Sequence, residues 1–180
     1  MLDAYIKSER KFLEEGSPLT IVATETDLLK IIDYQGYTIE LYGKADRIDK
    51  VVNEIRVIDY KTGKVNPSDV KIGDKVTGIT SMAEKSIQLM MYKYLYLYMH
   101  PELKQEQIKP GIVGFQKLSH GLYNLEISEN HELSTSFEDT CTKYLDDFVA
   151  ELFDKDIPFA QTDDEKTCSF CDFKSICKRG

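Results

Sequence analysis

The sequence predicts an α/β fold in which a mixed central β-sheet, an antiparallel meander plus further strands, is flanked by α-helices. Three observations lead to this prediction. Residues 19–61 alternate apolar and polar side chains with the period of two that is typical of strands. Residues 82–99 and 132–153 repeat apolar side chains every three or four positions, as helices do. Strand-like runs at 110–118 and 121–127 lie between these helices, so the two kinds of element are interleaved.

The first half of the chain predicts one helix and several strands. Residues 2–15 form a charged amphipathic pattern that Gly16-Ser17-Pro18 ends. The β-type runs that follow are separated at Gln35-Gly36, Gly43 and Val52-Asn53-Glu54, which suits an antiparallel meander. These runs span residues 19–25, 27–33, 36–42, 45–51 and 54–61.

The second half begins with residues 62–80, which contain three glycines and a proline among lysines and aspartates. Loops of this length are usually functional or disordered, so the segment is either a flap that contacts substrate or a disordered connection. His100-Pro101 ends the helix predicted over residues 82–99. The tail, residues 154–180, is rich in aspartate and lysine.

Chain length and charge limit the classes of function. A chain of 180 residues is predicted to form a single domain. Its net charge of −8 argues against binding nucleic acid by bulk electrostatics, but not against local phosphate contacts through metal ions and a few lysines. The apolar stretch Ile87–Met99 is too short to span a membrane, and residues 1–10 lack the apolar core of a secretory signal. We therefore expect a cytoplasmic protein without membrane contact.

Two aspartates on neighbouring predicted strands and one lysine form the candidate site. Asp59 and Lys61 are two residues apart, so they project from the same face of their strand, and Tyr60 points to the other face. If the segment that holds Asp46 lies alongside, two carboxylates and one ammonium group meet, which is what a divalent cation and an activated water need. The alternative is a solvated strand pair with surface charges. Asp59 follows the apolar residues Val57 and Ile58, and a carboxylate buried there is costly without a cation.

The cysteines are concentrated at the end of the chain, as Cys168-x2-Cys171-x5-Cys177. In a cytosolic protein this spacing indicates metal binding before disulfides, and thiolates suit zinc or an iron–sulfur cluster. Cys141 lies on the apolar side of its predicted helix, where a small buried hydrophobic residue is the simpler interpretation.

Four motifs in order resemble the PD-(D/E)xK nuclease superfamily, specifically the RecB/AddB-type nuclease domain with a C-terminal cysteine cluster. The motifs are Gly43-x-x-Asp46-Arg47-Ile48-Asp49, Val57-Ile58-Asp59-Tyr60-Lys61-Thr62-Gly63, Gln88-x-x-x-Tyr92 and the three-cysteine tail. The resemblance covers roughly residues 20–180. It implies a restriction-endonuclease-like core.

The resemblance also implies roles for individual residues. Asp46 and Asp59 would bind Mg²⁺ or Mn²⁺ with help from the backbone carbonyl of Tyr60, and Lys61 would orient or deprotonate the attacking water. Gln88 and Tyr92, four apart on one helix face, would lie near the active site and the DNA strand. A polar pair on an amphipathic helix is the alternative for these two. Glu25 stands where related nucleases often carry an acid, or in a surface turn.

Cys168, Cys171 and Cys177 resemble three ligands of the family's [4Fe–4S] cluster, which takes its fourth ligand from an upstream cysteine. This chain has no cysteine before Cys141 and no histidine before His100, although RecB-type domains usually have a metal-binding histidine upstream of the first aspartate. Both departures are explained if the chain is the C-terminal fragment of a larger helicase–nuclease protein. The alternative is that the ligands were lost.

The resemblance implies a Mg²⁺-dependent DNA exonuclease that acts in double-strand-break processing and recombinational repair, with a helicase subunit or helicase domain as partner. Two other classes remain open. One is a catalytically inactive module that keeps the nuclease fold for DNA binding or scaffolding, which the missing histidine and the acidic charge favour. The other is an interaction domain with a zinc-binding tail, in which the Asp-x-Lys pattern is accidental.

Overall fold

The computed structural model describes residues 2–16, 18–73, 82–128, 136–158, 160–162, 168–169 and 171–178. The helices are α1 (Leu2–Glu14), α2 (Glu84–Met99) and α3 (Phe137–Phe153), with short 3-10 turns at Pro67–Val70, Gln105–Gln107 and Phe115–His120. The strands are β1 (Leu19–Tyr34), β2 (Tyr37–Val51), β3 (Glu54–Lys61), β4 (Lys71–Ile72), β5 (Ile108–Gly114), β6 (Leu122–Asn124) and β7 (Glu126–Ile127). The chain forms two compact units, Met1–Val149 and Ala150–Gly180.

A five-stranded mixed sheet in the order β1-β2-β3-β5-β6 organises the first unit. The pairs β1–β2, β2–β3 and β5–β6 are antiparallel, whereas β3 and β5 are parallel. Because parallel neighbours need a crossover, the chain passes through α2 between β3 and β5. A second, two-stranded parallel sheet joins β4 to β7. The predicted fold class, a mixed sheet flanked by helices, is confirmed.

The boundaries within the sheet differ from the prediction. The four runs predicted over residues 19–51 form only two long strands, β1 and β2, which pair from Leu19↔Val51 to Tyr34↔Tyr37. Gln35 (φ 48°) and Gly36 (φ 83°) make the reversal, since two consecutive positive φ angles suit a two-residue hairpin turn. The polar residues at 24–27 and Gly43 do not break the strands, because this part of the hairpin is largely exposed to solvent and tolerates them.

Two further predictions need correction. The strand predicted over 110–118 is β5, which ends at Gly114 before a 3-10 turn. The strand predicted over 121–127 divides into β6 and β7, which belong to different sheets. The helices predicted over 2–15 and 82–99 are present with ends shifted by one or two residues, and the helix predicted over 132–153 begins at Phe137 within the described residues. Within the loop predicted over 62–80, a 3-10 turn and β4 form, and residues 74–80 lie outside the described part of the chain.

The apolar core lies between α2 and the main sheet. Met90 and Leu95 of α2 join Leu28, Ala45 and Val57 of the three antiparallel strands in one buried cluster. The fully buried Cys141 of α3 is part of the same cluster, and burial raises the pKa of its thiol to about 12. This confirms the interpretation of Cys141 as a buried hydrophobic residue. Among the described helices, none is long and apolar enough to cross a membrane.

Candidate active site

Two adjacent strands bring Asp46 and Asp59 together. The antiparallel register of β2 and β3 pairs Arg47 with Ile58, so Asp46 and Asp59 come one step beyond this pair. Asp46 Oδ2 accepts a hydrogen bond of 2.6 Å from the backbone N–H of Tyr60, which ties the Asp46 carboxylate to the end of β3. The two acids are close enough for the charge of Asp46 to raise the pKa of Asp59.

Asp59 is a buried carboxylate whose cost of burial is only partly offset by the charge of Lys61. It is 4% exposed, and this burial raises its pKa above the ordinary value of 3.8, while Lys61 acts in the opposite direction. Lys61 Nζ lies 2.9 Å from Asp59 Oδ2, as the alternation of β3 predicts. Among the described residues, Lys61 is the one partner of Oδ2. A buried acceptor of this kind is costly unless a cation or a donor approaches it.

Helix α2 adds Gln88 and Tyr92 to the two acids. The Gln88 side-chain amide donates to Asp59 Oδ1 and to the Tyr92 hydroxyl, both at 2.8 Å. Tyr92 in turn donates to the backbone carbonyl of Lys44 at 2.5 Å. Burial raises the pKa of Tyr92 to about 12, so the phenol keeps its proton at neutral pH. The two helix residues therefore form a chain of hydrogen bonds from β2 to the Asp59 carboxylate.

Gly43 of the first motif has a steric role beside this chain. A Cβ atom at Gly43 would lie 3.1 Å from Cε1 of the Tyr92 ring, which is tighter than most real contacts. The absence of a side chain lets α2 approach β2 closely enough for Tyr92 to reach the carbonyl of Lys44. The glycine and the tyrosine, almost fifty residues apart in sequence, are thus two sides of one contact.

Glu25 lies in the interior of β1 rather than at the end of a strand, which corrects the predicted position. It lies between the pairs Thr24↔Arg47 and Thr26↔Ala45, and its positive φ of 50° is a local irregularity of the strand. Its carboxylate forms an ion pair with Lys44 Nζ at 2.8 Å, and both side chains are about half exposed or more. Among the described contacts, none joins Glu25 to Asp46, Asp59 or Lys61.

The donor atoms fit a divalent cation that prefers oxygen ligands. Asp46, Asp59 and the Tyr60 carbonyl are hard oxygen donors, and the Asp59 carboxylate is buried with Lys61 as the one partner of Oδ2 in the described residues. The described residues contain no group of three or more His, Cys, Asp or Glu side chains that could hold a metal ion. Two carboxylates are nevertheless sufficient for Mg²⁺, which keeps several waters and often takes its remaining ligands from substrate phosphates.

The three tail cysteines belong to the unit Ala150–Gly180. The backbone N–H of Cys171 donates to the carbonyl of Cys168, and the N–H of Phe173 donates to Cys171 Sγ at 3.4 Å. Cys168, Cys171 and Cys177 are all partly exposed, and in the described part of the tail they do not form a metal-binding group.

A second polar cluster, which sequence reasoning missed, lies on the α1 side of the same strands. Asp49 is fully buried and accepts two hydrogen bonds from Arg56, at 2.6 and 2.8 Å. Arg47 Nε lies 2.7 Å from Asp49 Oδ2, and Arg47 also contacts Glu9 of α1 at 2.7 Å. Arg47 and Asp49 are two residues apart, and this spacing was the available signal that they share a face.

Tyr60 connects the α1 side with the candidate site. Its hydroxyl lies 2.7 Å from the hydroxyl of Tyr5, and its ring stacks on Phe115. Its backbone N–H holds Asp46. One residue of β3 thus anchors α1 by its side chain and a site carboxylate by its main chain.

A mixed sheet with paired acids and a lysine at the end of neighbouring strands defines the restriction-endonuclease-like class of α/β proteins. The chain belongs to the PD-(D/E)XK nuclease superfamily, whose sequence model matches residues 1–178. Membership implies nuclease chemistry on DNA. The RecB/AddB subtype is not part of this assignment.

The solved structure titled "Crystal structure of SSO0001" is 18% identical, covers 97% of this chain and 67% of its own, and superposes with a TM-score of 0.43. No curated protein matches the sequence significantly.

Proposed function

We propose that this chain is the nuclease domain of a Mg²⁺- or Mn²⁺-dependent DNA exonuclease. The observation that carries the proposal is the contact between Lys61 Nζ and Asp59 Oδ2 at 2.9 Å, next to Asp46 and Gln88. Asp46, Asp59 and the Tyr60 carbonyl would hold the cation. When bound, such a cation lowers the pKa of a water molecule and neutralises charge on the phosphate.

Lys61 is the residue best placed to act on the substrate directly. Its side chain is 34% exposed, so the ammonium group can reach a bound phosphodiester while Asp59 holds it in place. A fixed ammonium group would orient the attacking water and stabilise the charge that develops on the phosphate oxygens. Removal of one such electrostatic contact typically lowers the rate by about 10²–10³-fold.

Gln88 and Tyr92 would act as positioning residues. The Gln88 amide fixes the Asp59 carboxylate through Oδ1 and leaves Oδ2 for other partners. Tyr92 holds the Gln88 amide and is itself fixed by the carbonyl of Lys44. Because Tyr92 stays protonated, this arrangement persists across the neutral pH range.

The finer identity of the protein is also a proposal. The order of the four motifs supports a RecB/AddB-type domain that works with a helicase in double-strand-break repair, within a larger protein that would supply the missing histidine and the fourth cysteine. Cys168, Cys171 and Cys177 would then hold a [4Fe–4S] cluster or zinc. Iron, zinc and acid-labile sulfide measured in the full-length protein purified without oxygen would test this, with a Cys168→Ser variant as the matched control.

A second candidate is a nuclease-fold module that binds DNA without cleaving it. The observation that favours it is that no third carboxylate or histidine joins Asp46 and Asp59 to form a metal-binding group in the described residues. This candidate predicts strand binding that weakens with salt and no hydrolysis with either metal.

Cleavage of end-labelled linear DNA with Mg²⁺ separates the two candidates. We expect activity in the wild type, loss in Asp59→Asn and in Lys61→Met, and no loss in the exposed controls Asp33→Asn and Lys50→Met. A covalently closed circle of the same DNA should resist an exonuclease. If the wild type and the Asp59→Asn and Lys61→Met variants were equally active, the catalytic assignment would be wrong.

A further inference from the structure

A cavity of about 260 Å³ lies beside the candidate active site. Its walls include residues 64–67, which follow β3, and residues that follow Gly114 at the end of β5. Because β3 and β5 are parallel and pair Lys61 with Gly114, these two segments leave the sheet at the same edge. Ligands of open α/β sheets characteristically bind outside the carboxyl ends of the strands.

The cavity is close to Lys61 along the chain. Lys64, in its wall, is three residues beyond Lys61, and three extended residues span at most about 10 Å. Gln116, in the other wall, donates to the backbone carbonyl of Thr62 at 3.1 Å and so connects the two walls directly after Lys61. A strand bound with one phosphate at Lys61 would therefore reach the cavity within a few nucleotides.

The charged groups of the cavity favour an anion. Lys64 and Lys117 line it, and neither forms an ion pair with any carboxylate in the described chain. The one acidic residue of the turn that follows Asn66 is Asp69, which accepts from the Asn66 N–H at 3.0 Å and pairs with Lys85 at 3.2 Å. Within the described residues, two ammonium groups without an ion-pair partner are a local exception to the acidity of a protein of net charge −8.

The remaining walls offer groups that suit a nucleotide. Tyr123 lines the cavity, is 2% exposed, and its buried hydroxyl has no hydrogen-bond partner among the described residues. The ring of His120 stacks on Tyr123 with 3.7 Å between centroids. Asn66 and Gln116 add amide donors and acceptors. The volume falls just below the roughly 300–1,000 Å³ of typical small-molecule pockets, which fits one nucleotide rather than a duplex.

We propose that this cavity binds one nucleotide of the substrate strand, with its phosphate held by Lys64 and Lys117, a few nucleotides from the phosphodiester that is cleaved. The proposal rests on the proposed nuclease function, since it takes the strand at Lys61 and the strand in the cavity to be the same. It assigns the residues after β3 and β5 to substrate positioning and leaves the chemistry to Asp46, Asp59 and Lys61.

The first test measures binding rather than cleavage, in an Asp59→Asn background. Anisotropy of a short fluorescein-labelled oligothymidylate is followed between about 50 and 200 mM salt. Loss of two phosphate contacts in Lys64→Gln/Lys117→Gln should make the slope of log K against log salt shallower by about 1.4, and should weaken binding about 25-fold near 0.1 M salt. The control Lys50→Gln/Lys143→Gln changes the net charge equally at exposed sites outside the cavity. An equal loss in both double variants, or a loss in neither, would overturn the proposal.

The second test locates the contact on the strand. Phosphates of the oligothymidylate are replaced one at a time by uncharged methylphosphonates, and binding is compared between the Asp59→Asn protein with native lysines and the Lys64→Gln/Lys117→Gln double variant. We expect one or two positions at which the replacement weakens binding to native lysines but has no effect in the double variant, the signature of a direct pair. No such position would refute the cavity as a phosphate site.

The two proposals fail separately. If the wild type binds the strand through the cavity but never cleaves it, the nuclease function is wrong, and the cavity remains a nucleotide-binding site without a role in cleavage. If the wild type cleaves DNA but no methylphosphonate position depends on Lys64 and Lys117, the cavity assignment is wrong and the nuclease function stands.

Discussion

Asp49 and Asp59 are both buried acids of adjacent strands, and we predict that their removal has opposite effects on stability. Asp49 is bound by two arginines, so Asp49→Asn leaves buried guanidinium groups uncompensated. Asp59 has a raised pKa because burial disfavours its charge, so Asp59→Asn removes an unfavourable charge from the folded state. The Gln88 amide can still donate to the oxygen of the new asparagine, and Lys61 is exposed enough to be solvated.

The magnitudes follow from these surroundings. Breaking a buried ion pair on one side typically costs about 3–5 kcal/mol, which for a chain of this length lowers the melting temperature by about 6–20 °C. A single stabilising substitution, such as removal of this buried charge, typically gains about 0.5–2 kcal/mol, or about 1–8 °C. Asp49→Asn should therefore melt well below the wild type and Asp59→Asn above it.

The pH dependence of the stability provides a second test of the opposite effects predicted for the two substitutions. The folded state binds the Asp59 proton more tightly than the unfolded state, so wild-type stability falls as the pH rises from about 4 through the raised pKa. The advantage of Asp59→Asn should be absent below the ordinary value of 3.8 and complete above the raised pKa. Thermal melts by circular dichroism at acid and neutral pH measure both effects. A neutral-pH loss of stability in Asp59→Asn comparable to that in Asp49→Asn would show that Asp59 is a structural ion-pair residue, and the reasoning would fail.

Three further predictions concern the candidate site. Lys61 lowers the pKa of Asp59. In a pH–rate profile measured with Mn²⁺, the acid limb of the residual activity of Lys61→Met should therefore lie at higher pH than that of the wild type. An unchanged acid limb would show that ionisation of Asp59 does not control the rate. Tyr92→Phe removes the hydroxyl that accepts a hydrogen bond from Gln88. In steady-state cleavage assays it should lower kcat by about 10-fold or more with a smaller change in KM, whereas a raised KM with unchanged kcat would indicate a binding role. Glu25→Gln breaks an exposed pair with Lys44, so the melting temperature should stay close to that of the wild type and the rate should change by less than about twofold. A large loss of rate would restore Glu25 as a catalytic acid.

Sequence patterns predicted the positions of Asp59 and Lys61 because strand alternation is a local rule. It fixes which side chains of one strand share a face, and the 2.9 Å contact follows from it. The meeting of Asp59 with Gln88 is different, because it depends on which face of α2 lies against the sheet. That helix has buried residues almost all round, so its pattern does not mark one inward face.

The strand boundaries within 19–51 were mispredicted for a physical reason. Thr24-Glu25-Thr26 and Gly43 look like breaks, but a long exposed hairpin can carry polar residues on both faces while its backbone stays paired. The cavity beside Lys61 was not predictable either. It depends on the parallel pairing of β3 with β5, a contact between segments some fifty residues apart in sequence.

The two sides of strand β3 differ in how their charges are balanced. On the α1 side, two carboxylates, Glu9 and Asp49, meet two guanidinium groups, and the cluster is neutral. On the other side, Asp46 and Asp59 meet one ammonium group, Lys61, and one negative charge is left over. Burial penalises an uncompensated charge, so a fold selected only for stability would resemble the first arrangement. A bound cation would balance the second arrangement, and this deficit of one positive charge beside the buried Asp59 is the strongest physical argument for a metal-dependent site.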